Sequence, residues 1–174
     1  MIDIRAAAAI LVCMSDVPLL IAWHSRTGAS EAMAAAAAEG AGVNARLLRA
    51  DDVQPEHFLQ AKGYLFVCPE NLASMSGLMK EMFDRCYYPV LGKVEGRPYA
   101  TIIAAGSDGE NAQRQIDRIA TGWRLKRVSE GMIICLNAQT ADAILQPKTV
   151  PQKSLLDCQE LGSGLAEGIG LGIF

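Results

Sequence analysis

The sequence is short of several things that would have directed it elsewhere. No apolar run approaches the ~18 residues needed to span a bilayer. There is no CxxC pair, and the two histidines, His24 and His57, stand at metal-ligand spacing from no cysteine. The five cysteines, Cys13, Cys68, Cys86, Cys135 and Cys158, are odd in number and dispersed; Cys68 and Cys135 lie inside apolar runs, as buried free thiols do. The chain therefore reads as reduced, cytoplasmic and metal-free. Charge of one sign is also lacking: 16 Lys and Arg against 19 Asp and Glu leave a net charge of −3. That excludes nucleic-acid binding through general electrostatics and is far from the acidity of a carrier that docks by charge alone.

What is present is the composition of one globular domain. The chain has 174 residues, 51% apolar and 20% charged, which excludes wholesale disorder and a coiled coil. The run Ala6–Met14 follows Asp3 and Arg5 as a weak signal peptide would, but its n-region is poor and no small-x-small site follows. Val12 before Cys13 also argues against a lipoprotein site. Residues 1–16 read instead as an N-terminal extension, frayed or arising from an upstream start with Met14 as the true one, and the domain as residues 17–174. A chain starting at Met14 is expected to fold and bind as the full one does.

Four apolar runs are continuous rather than alternating: Pro18–Trp23, Gly63–Cys68, Tyr99–Ala105 and Gly131–Leu136. Strands buried on both faces of a parallel sheet look like this. Asn44–Leu48 alternates and suits an edge strand. Helical patterns fall between them, over Ser30–Ala41, Gln54–Ala61, Met75–Cys86, Asn111–Trp123 and Ser154–Ile173. Strict β-α alternation implies an α/β fold with right-handed crossovers and helices on both faces. Five strands in so short a chain predict a flavodoxin-like doubly wound parallel sheet of order 2-1-3-4-5. Ligands of such sheets bind beyond the carboxyl ends of the strands, where His24–Ser30, Pro69–Ser74 and Gly106–Glu110 would meet.

The first of these loops leaves a buried strand and opens a helix. Its backbone amides and the helix dipole can surround an anion, with Gly28 allowing close approach and Ser25, Thr27 and Ser30 supplying hydroxyls. The same residues also read as an ordinary turn with Ser30 as the helix cap.

Ser25-x-Thr27-Gly28-x-Ser30 resembles the phosphate loop of flavodoxins and flavodoxin-like oxidoreductases, [ST]-x-T-G-x-[ST]. The segment from Pro69 to Arg85 resembles P-x-(four residues)-M-S-x-x-M-K-x-F-x-D-R of NAD(P)H-dependent FMN reductases and related quinone reductases, with Phe83 one residue later than that pattern places its aromatic. Gly106-Ser107-Asp108-Gly109 resembles their G-S-x-G turn. The likeness spans about residues 18 to 172. It implies FMN as cofactor and NAD(P)H as co-substrate. By that resemblance Ser25, Arg26, Thr27, Gly28, Ala29 and Ser30 hold the FMN phosphate. Pro69, Glu70, Asn71, Leu72, Met75 and Ser76 lie along the ribityl chain and the isoalloxazine, and Gly106, Ser107 and Gly109 offer backbone donors to its pyrimidine end. The flavin carries the redox chemistry, so no catalytic side chain is assigned.

One departure stands out. Classical flavodoxins stack the ring between aromatic side chains in the second and third loops, and neither loop has one here. That favours an oxidoreductase with an open flavin face, passing electrons from NAD(P)H to flavin, quinone or a similar small acceptor, over a non-enzymatic electron carrier or a module that has lost its flavin. Arg114, Arg118, Arg124, Lys126 and Arg127, against Asp117, suit NADPH phosphates or a solvated helix face. His24 suits packing or orienting beside the first loop, and His57 a surface position. Tyr87-Tyr88-Pro89, expected after the third helix, suits loop anchoring, or the approach of a flavin or of a second subunit in a homodimer. Gly162-Ser163-Gly164-x-x-x-Gly168 follows no strand, so these glycines are expected to seat the last helix close to the sheet. Neither nucleic acid nor membrane is expected as a partner.

Overall fold

The computed structural model describes residues 18–174. The reading of residues 1–16, and Cys13 with it, lies outside the described residues. Among those described, no helix is long and apolar enough to cross a membrane.

The elements run β1 (Leu19–Trp23), α1 (Ala29–Ala41), β2 (Ala45–Arg49), α2 (Pro55–Gln60), β3 (Gly63–Pro69), α3 (Gly77–Val90), β4 (Pro98–Ala105), α4 (Glu110–Gly122), β5 (Lys126–Arg127), β6 (Met132–Cys135), α5 (Ala141–Leu145) and α6 (Gln152–Leu171). All pairings in the sheet are parallel, in the order β2-β1-β3-β4-β5, with β6 also on β4. This is the predicted flavodoxin-like order. The fifth strand predicted over Gly131–Leu136 is present as β6, and a short strand that the sequence pattern does not mark, β5, precedes it. Pro98 and Tyr99 pair with Lys126 and Arg127, but Ile102 pairs with Met132, so two extra residues intervene. The gap lies where Gln113 of α4 inserts: its Oε1 accepts from Thr101 Oγ1 at 2.5 Å, and a Cβ on Gly131 would collide with its amide.

Alternation along β3 sends Tyr64, Phe66 and Cys68 to one face and Leu65 and Val67 to the other. The first face is aromatic, with Phe58, Tyr64, Phe66, Phe83, Tyr99 and Trp123 buried under α2, α3 and α4. The T-shaped pair of Phe66 and Phe83 has centroids 4.9 Å apart. On the second face the large side chains come mainly from the strands, Leu19, Ile21, Leu65, Val67 and Ile102 among them, and the helices contribute mostly small residues. α1 buries Ala29, Ala34, Ala37 and Ala41, and α6 presses on it so closely that a Cβ on Gly162 would strike the carbonyl of Ala37. Gly162 thus seats the last helix against α1 rather than against the sheet. Gly168 makes room for Phe174, and Gly164 faces open space.

The helix predicted to start at Met75 begins at Gly77, because Met75 pairs with Glu70 in an isolated antiparallel bridge. It also runs through Tyr87-Tyr88-Pro89 to Val90. Pro89 takes away the N–H that would donate to the Arg85 carbonyl, and the helix ends one residue later.

Candidate functional site

A cleft of about 420 Å³ opens at the carboxyl ends of the strands. Its lining includes Ser25, Arg26, Thr27, Ala29 and Ser30 from the first loop, Pro69, Glu70, Asn71 and Leu72 from the second, and Gly106 from the third. Of the predicted site residues, Gly28, Met75, Ser76, Ser107 and Gly109 are not in that lining.

At the first loop, α1 is capped by Gly28 in the left-handed region (φ 92°) with no side-chain cap. Ser30 is therefore not the cap but the second residue of the helix. Gly28 N–H donates to Ser25 Oγ at 3.0 Å, which leaves the Ser25 hydroxyl hydrogen to donate elsewhere. The amides of the first turn have no intrahelical acceptor. Ser30 is fully buried, and its Oγ has no hydrogen-bond partner. A buried orphan hydroxyl costs ~1–3 kcal/mol, and among the described residues nothing offsets that cost for Ser30. Arg26 is exposed and brings positive charge to the same end.

The second loop is a tight hairpin. Asn71 and Ser74 exchange backbone bonds of 2.8 and 3.1 Å, with Leu72 and Ala73 both at positive φ, 52° and 54°. Two non-glycine residues there cost ~1–2 kcal/mol each. The strain persists because α4 braces the hairpin: Gln115 Oε1 accepts from Ser74 Oγ (2.9 Å) and Met75 N–H (3.0 Å), and Asn111 donates to the Ala73 carbonyl. Leu72, at the tip, is completely exposed.

Glu70 joins the second loop to the third. Its carboxylate accepts from Gly109 N–H (2.8 Å) and Ala112 N–H (3.3 Å), capping α4. The Gly109 amide is thereby already engaged, which explains its absence from the cleft wall. Met75 and Ser76 are buried behind the hairpin, Ser76 beside the Cys68 thiol, whose pKa burial pushes up to about 12.

Residues outside the three loops complete the wall: Ala104, Ala105, Leu136, Ala138, Ile144, Leu145 and Lys148. The last three belong to a short helix and strap that the sequence reading missed. The signal was Thr140-Ala141-Asp142-Ala143, where Thr140 Oγ1 caps Ala143 N–H at 3.2 Å. Among the described residues, no aromatic side chain lines the cleft.

The basic residues in and just after α4 do not line it. Arg127 pairs with Asp117 at 3.1 Å and Arg124 with Glu95 at 3.1 Å, while Arg114, Arg118 and Lys126 also lie off the lining. His24 is buried beside the first loop without lining the cleft. Burial and then the Arg49 charge lower its pKa, and its Nδ1 has no partner. His57 is not a bare surface residue: its Nδ1 accepts from Gln54 N–H at 2.9 Å and caps α2.

Comparison with known proteins bears on this arrangement. The chain is 30% identical over 95 residues to a flavodoxin of Aquifex aeolicus, a match that covers 52% of the chain and about half, 51%, of that relative's length. Among solved structures it is similar to an archaeal flavodoxin (TM-score 0.69, 18% identity, 88% of this chain and 99% of the other). It is also similar to a WrbA-like flavodoxin from Agrobacterium tumefaciens (TM-score 0.69, 20% identity, 88% of this chain and 98% of the other). At such identities these structures bear on the fold alone. A family model, however, covers residues 49–137, just over half of the chain and the whole of the second and third loops, and on that match the chain belongs to the NADPH-dependent FMN reductase family.

Proposed function

We propose that the chain is an FMN-binding oxidoreductase that takes electrons from NAD(P)H and delivers them to a flavin, quinone or similar small acceptor. The observation that carries the reading is the first loop, where the buried, unpartnered Ser30 hydroxyl and the free first-turn amides of α1 suit a terminal phosphate. FMN supplies the redox chemistry when bound. Ser25, Arg26, Thr27, Gly28, Ala29 and Ser30 hold its phosphate. Pro69, Glu70, Asn71, Leu72 and Gly106 line the space for the remainder, with the buried Met75, Ser76 and Gly109 shaping those loops from behind and Ser107 exposed on the third. Glu70 keeps the second and third loops in register by holding Gly109 and Ala112.

The small wall residues and the absence of aromatic covers leave room for a second ring, which supports an enzyme over a carrier. With its arginines remote from the cleft, α4 gives no reason to prefer NADPH over NADH. The test is titration with FMN and riboflavin, followed by anaerobic mixing of the FMN-loaded protein with each nucleotide. FMN should bind far more tightly than riboflavin, and the visible flavin absorption should bleach. Steady-state kinetics should be ping-pong, since donor and acceptor use one face in turn. Equal affinity for both ligands overturns the phosphate-loop assignment. Flavin that stays oxidised under excess NADPH and NADH overturns the enzyme reading in favour of the carrier.

A further inference from the structure

The segment 137–148 belongs to none of the three loops, yet it forms one wall of the cleft and is tied to two of them. Leu136 N–H donates to the Ala105 carbonyl at 2.9 Å. Next to it the backbones of Ala138 and Gly106 touch: a Cβ on Gly106 would lie 2.7 Å from Ala138 O. At the far end Lys148 N–H donates to Thr27 O at 2.8 Å, inside the first loop. Between these anchors, the Lys148 ammonium closes the carboxyl end of α5. It donates to the carbonyls of Ala143 (2.6 Å), Ile144 (3.0 Å) and Gln146 (2.5 Å). Capped at both ends and anchored at both ends, the strap is a built wall rather than a loose connection.

This wall holds apolar side chains in water. Ile144 is 52% and Leu145 74% exposed, and both line the cleft. So does Leu72, exposed completely at the tip of a strained turn that polar bonds from α4 hold in place. Two braced elements from different parts of the chain thus present solvated aliphatic groups to one cleft that contains no aromatic. Single exposed leucines are ordinary; three on braced supports around one cavity match a flat apolar ligand.

We propose that Leu72 on one side and Ile144 and Leu145 on the other form an aliphatic clamp on the isoalloxazine ring, with Lys148 as the positioning residue that holds the strap in place. This rests on the FMN reading above. The clamp holds the ring through aliphatic contacts at its sides, leaves a face open to a second ring, and acts on the ring, not on the phosphate.

Titrations of the full chain with FMN and with riboflavin test it, using Leu72→Ser, the double variant Ile144→Ser/Leu145→Ser, and Ser30→Ala as the phosphate-end control. Each clamp variant should weaken both ligands by the same factor, about tenfold. Iodide should quench the fluorescence of bound flavin more readily than in the parent protein. Ser30→Ala should weaken FMN alone. Unfolding midpoints of the clamp variants should stay at the parent value, because the replaced side chains are exposed. Clamp variants that bind both ligands as the parent does, or that lose FMN but not riboflavin, overturn the clamp while leaving the flavin site standing. A parent protein that binds neither ligand overturns the flavin reading itself and the clamp with it.

Discussion

Replacing Ser30 by alanine should move stability and affinity in opposite directions. Its hydroxyl is fully buried and unpartnered in the ligand-free protein, at a cost of ~1–3 kcal/mol. Alanine removes that cost, leaves a void of only one oxygen atom, and adds about 0.5 kcal/mol of helix propensity. The ligand-free variant should therefore be more stable by about 1.5 kcal/mol, or roughly 3–6 °C in Tm for a domain of this size. With FMN the sign reverses. A hydroxyl donating to a phosphate is a charge-assisted bond of ~1.5–3 kcal/mol, so the Kd for FMN should rise roughly ten- to a hundredfold. Riboflavin, lacking the phosphate, should bind unchanged. Urea unfolding of the ligand-free protein and two fluorescence titrations suffice. A variant that is less stable than the parent and binds FMN equally well would show that the hydroxyl supports the fold, and the phosphate assignment at α1 would be refuted.

Gly28 should resist substitution for a conformational reason, since its φ is 92° and a Cβ there would meet nothing within 4 Å. Gly28→Ala should cost ~1–2 kcal/mol in urea unfolding, Gly28→Val more, and Gly28→Asn less; a Gly28→Val variant of parental stability and FMN affinity would refute the reasoning. Stability should also decline in mild acid. His24 and His57 both have folded pKa values lowered from 6.5, in each case by burial first and then by an arginine, Arg49 for His24 and Arg46 for His57. The unfolded chain then binds more protons, so stability is complete above pH 6.5 and falls as the pH drops through the depressed folded values. The urea midpoint should fall between pH 7.5 and 5.5, and His57→Asn should flatten that slope; a flat profile in the parent would refute it.

Much of the fold is legible in the sequence because parallel strands carry a strong signal. Gly63–Cys68 and Tyr99–Ala105 are unbroken apolar runs, and β3 and β4 occupy them with a residue or less added at each end. The first loop is legible too, because a glycine between hydroxyl residues at a strand-to-helix junction has few structural uses. Three features were not legible, each for a tertiary reason. β5 is two residues long and both are exposed, so periodicity carries nothing there. The start of α3 moves from Met75 to Gly77 because Glu70 and Met75 close a hairpin, and bonds from α4 stabilise that hairpin. The strap at 137–148 is irregular and its wall residues are exposed, so neither burial nor period marks it; only the Thr140 cap does.

The aliphatic character of the cleft is tied to how the two faces of the sheet are filled. The chain has only ten aromatic residues, and six of them pack together under α2, α3 and α4. Tyr87 and Tyr88 sit beside that cluster, Trp23 lies under the Arg49 guanidinium, and Phe174 rests in the hollow at Gly168. No ring is left over for the mouth of the cleft. The opposite face uses alanine and glycine, which let α6 hold α1 closely, and α1 begins at the loop that carries Ser30. On the proposed function the phosphate end is then the end of the site fixed by backbone-to-backbone packing. The ring end is walled by a braced turn and a strap whose contacts with a ligand are aliphatic. A clamp of that kind excludes water and matches a flat outline without π-stacking on the ring's face. On the proposed function that face would remain available to a nicotinamide or a quinone, the arrangement a turnover enzyme needs and a dedicated carrier does not.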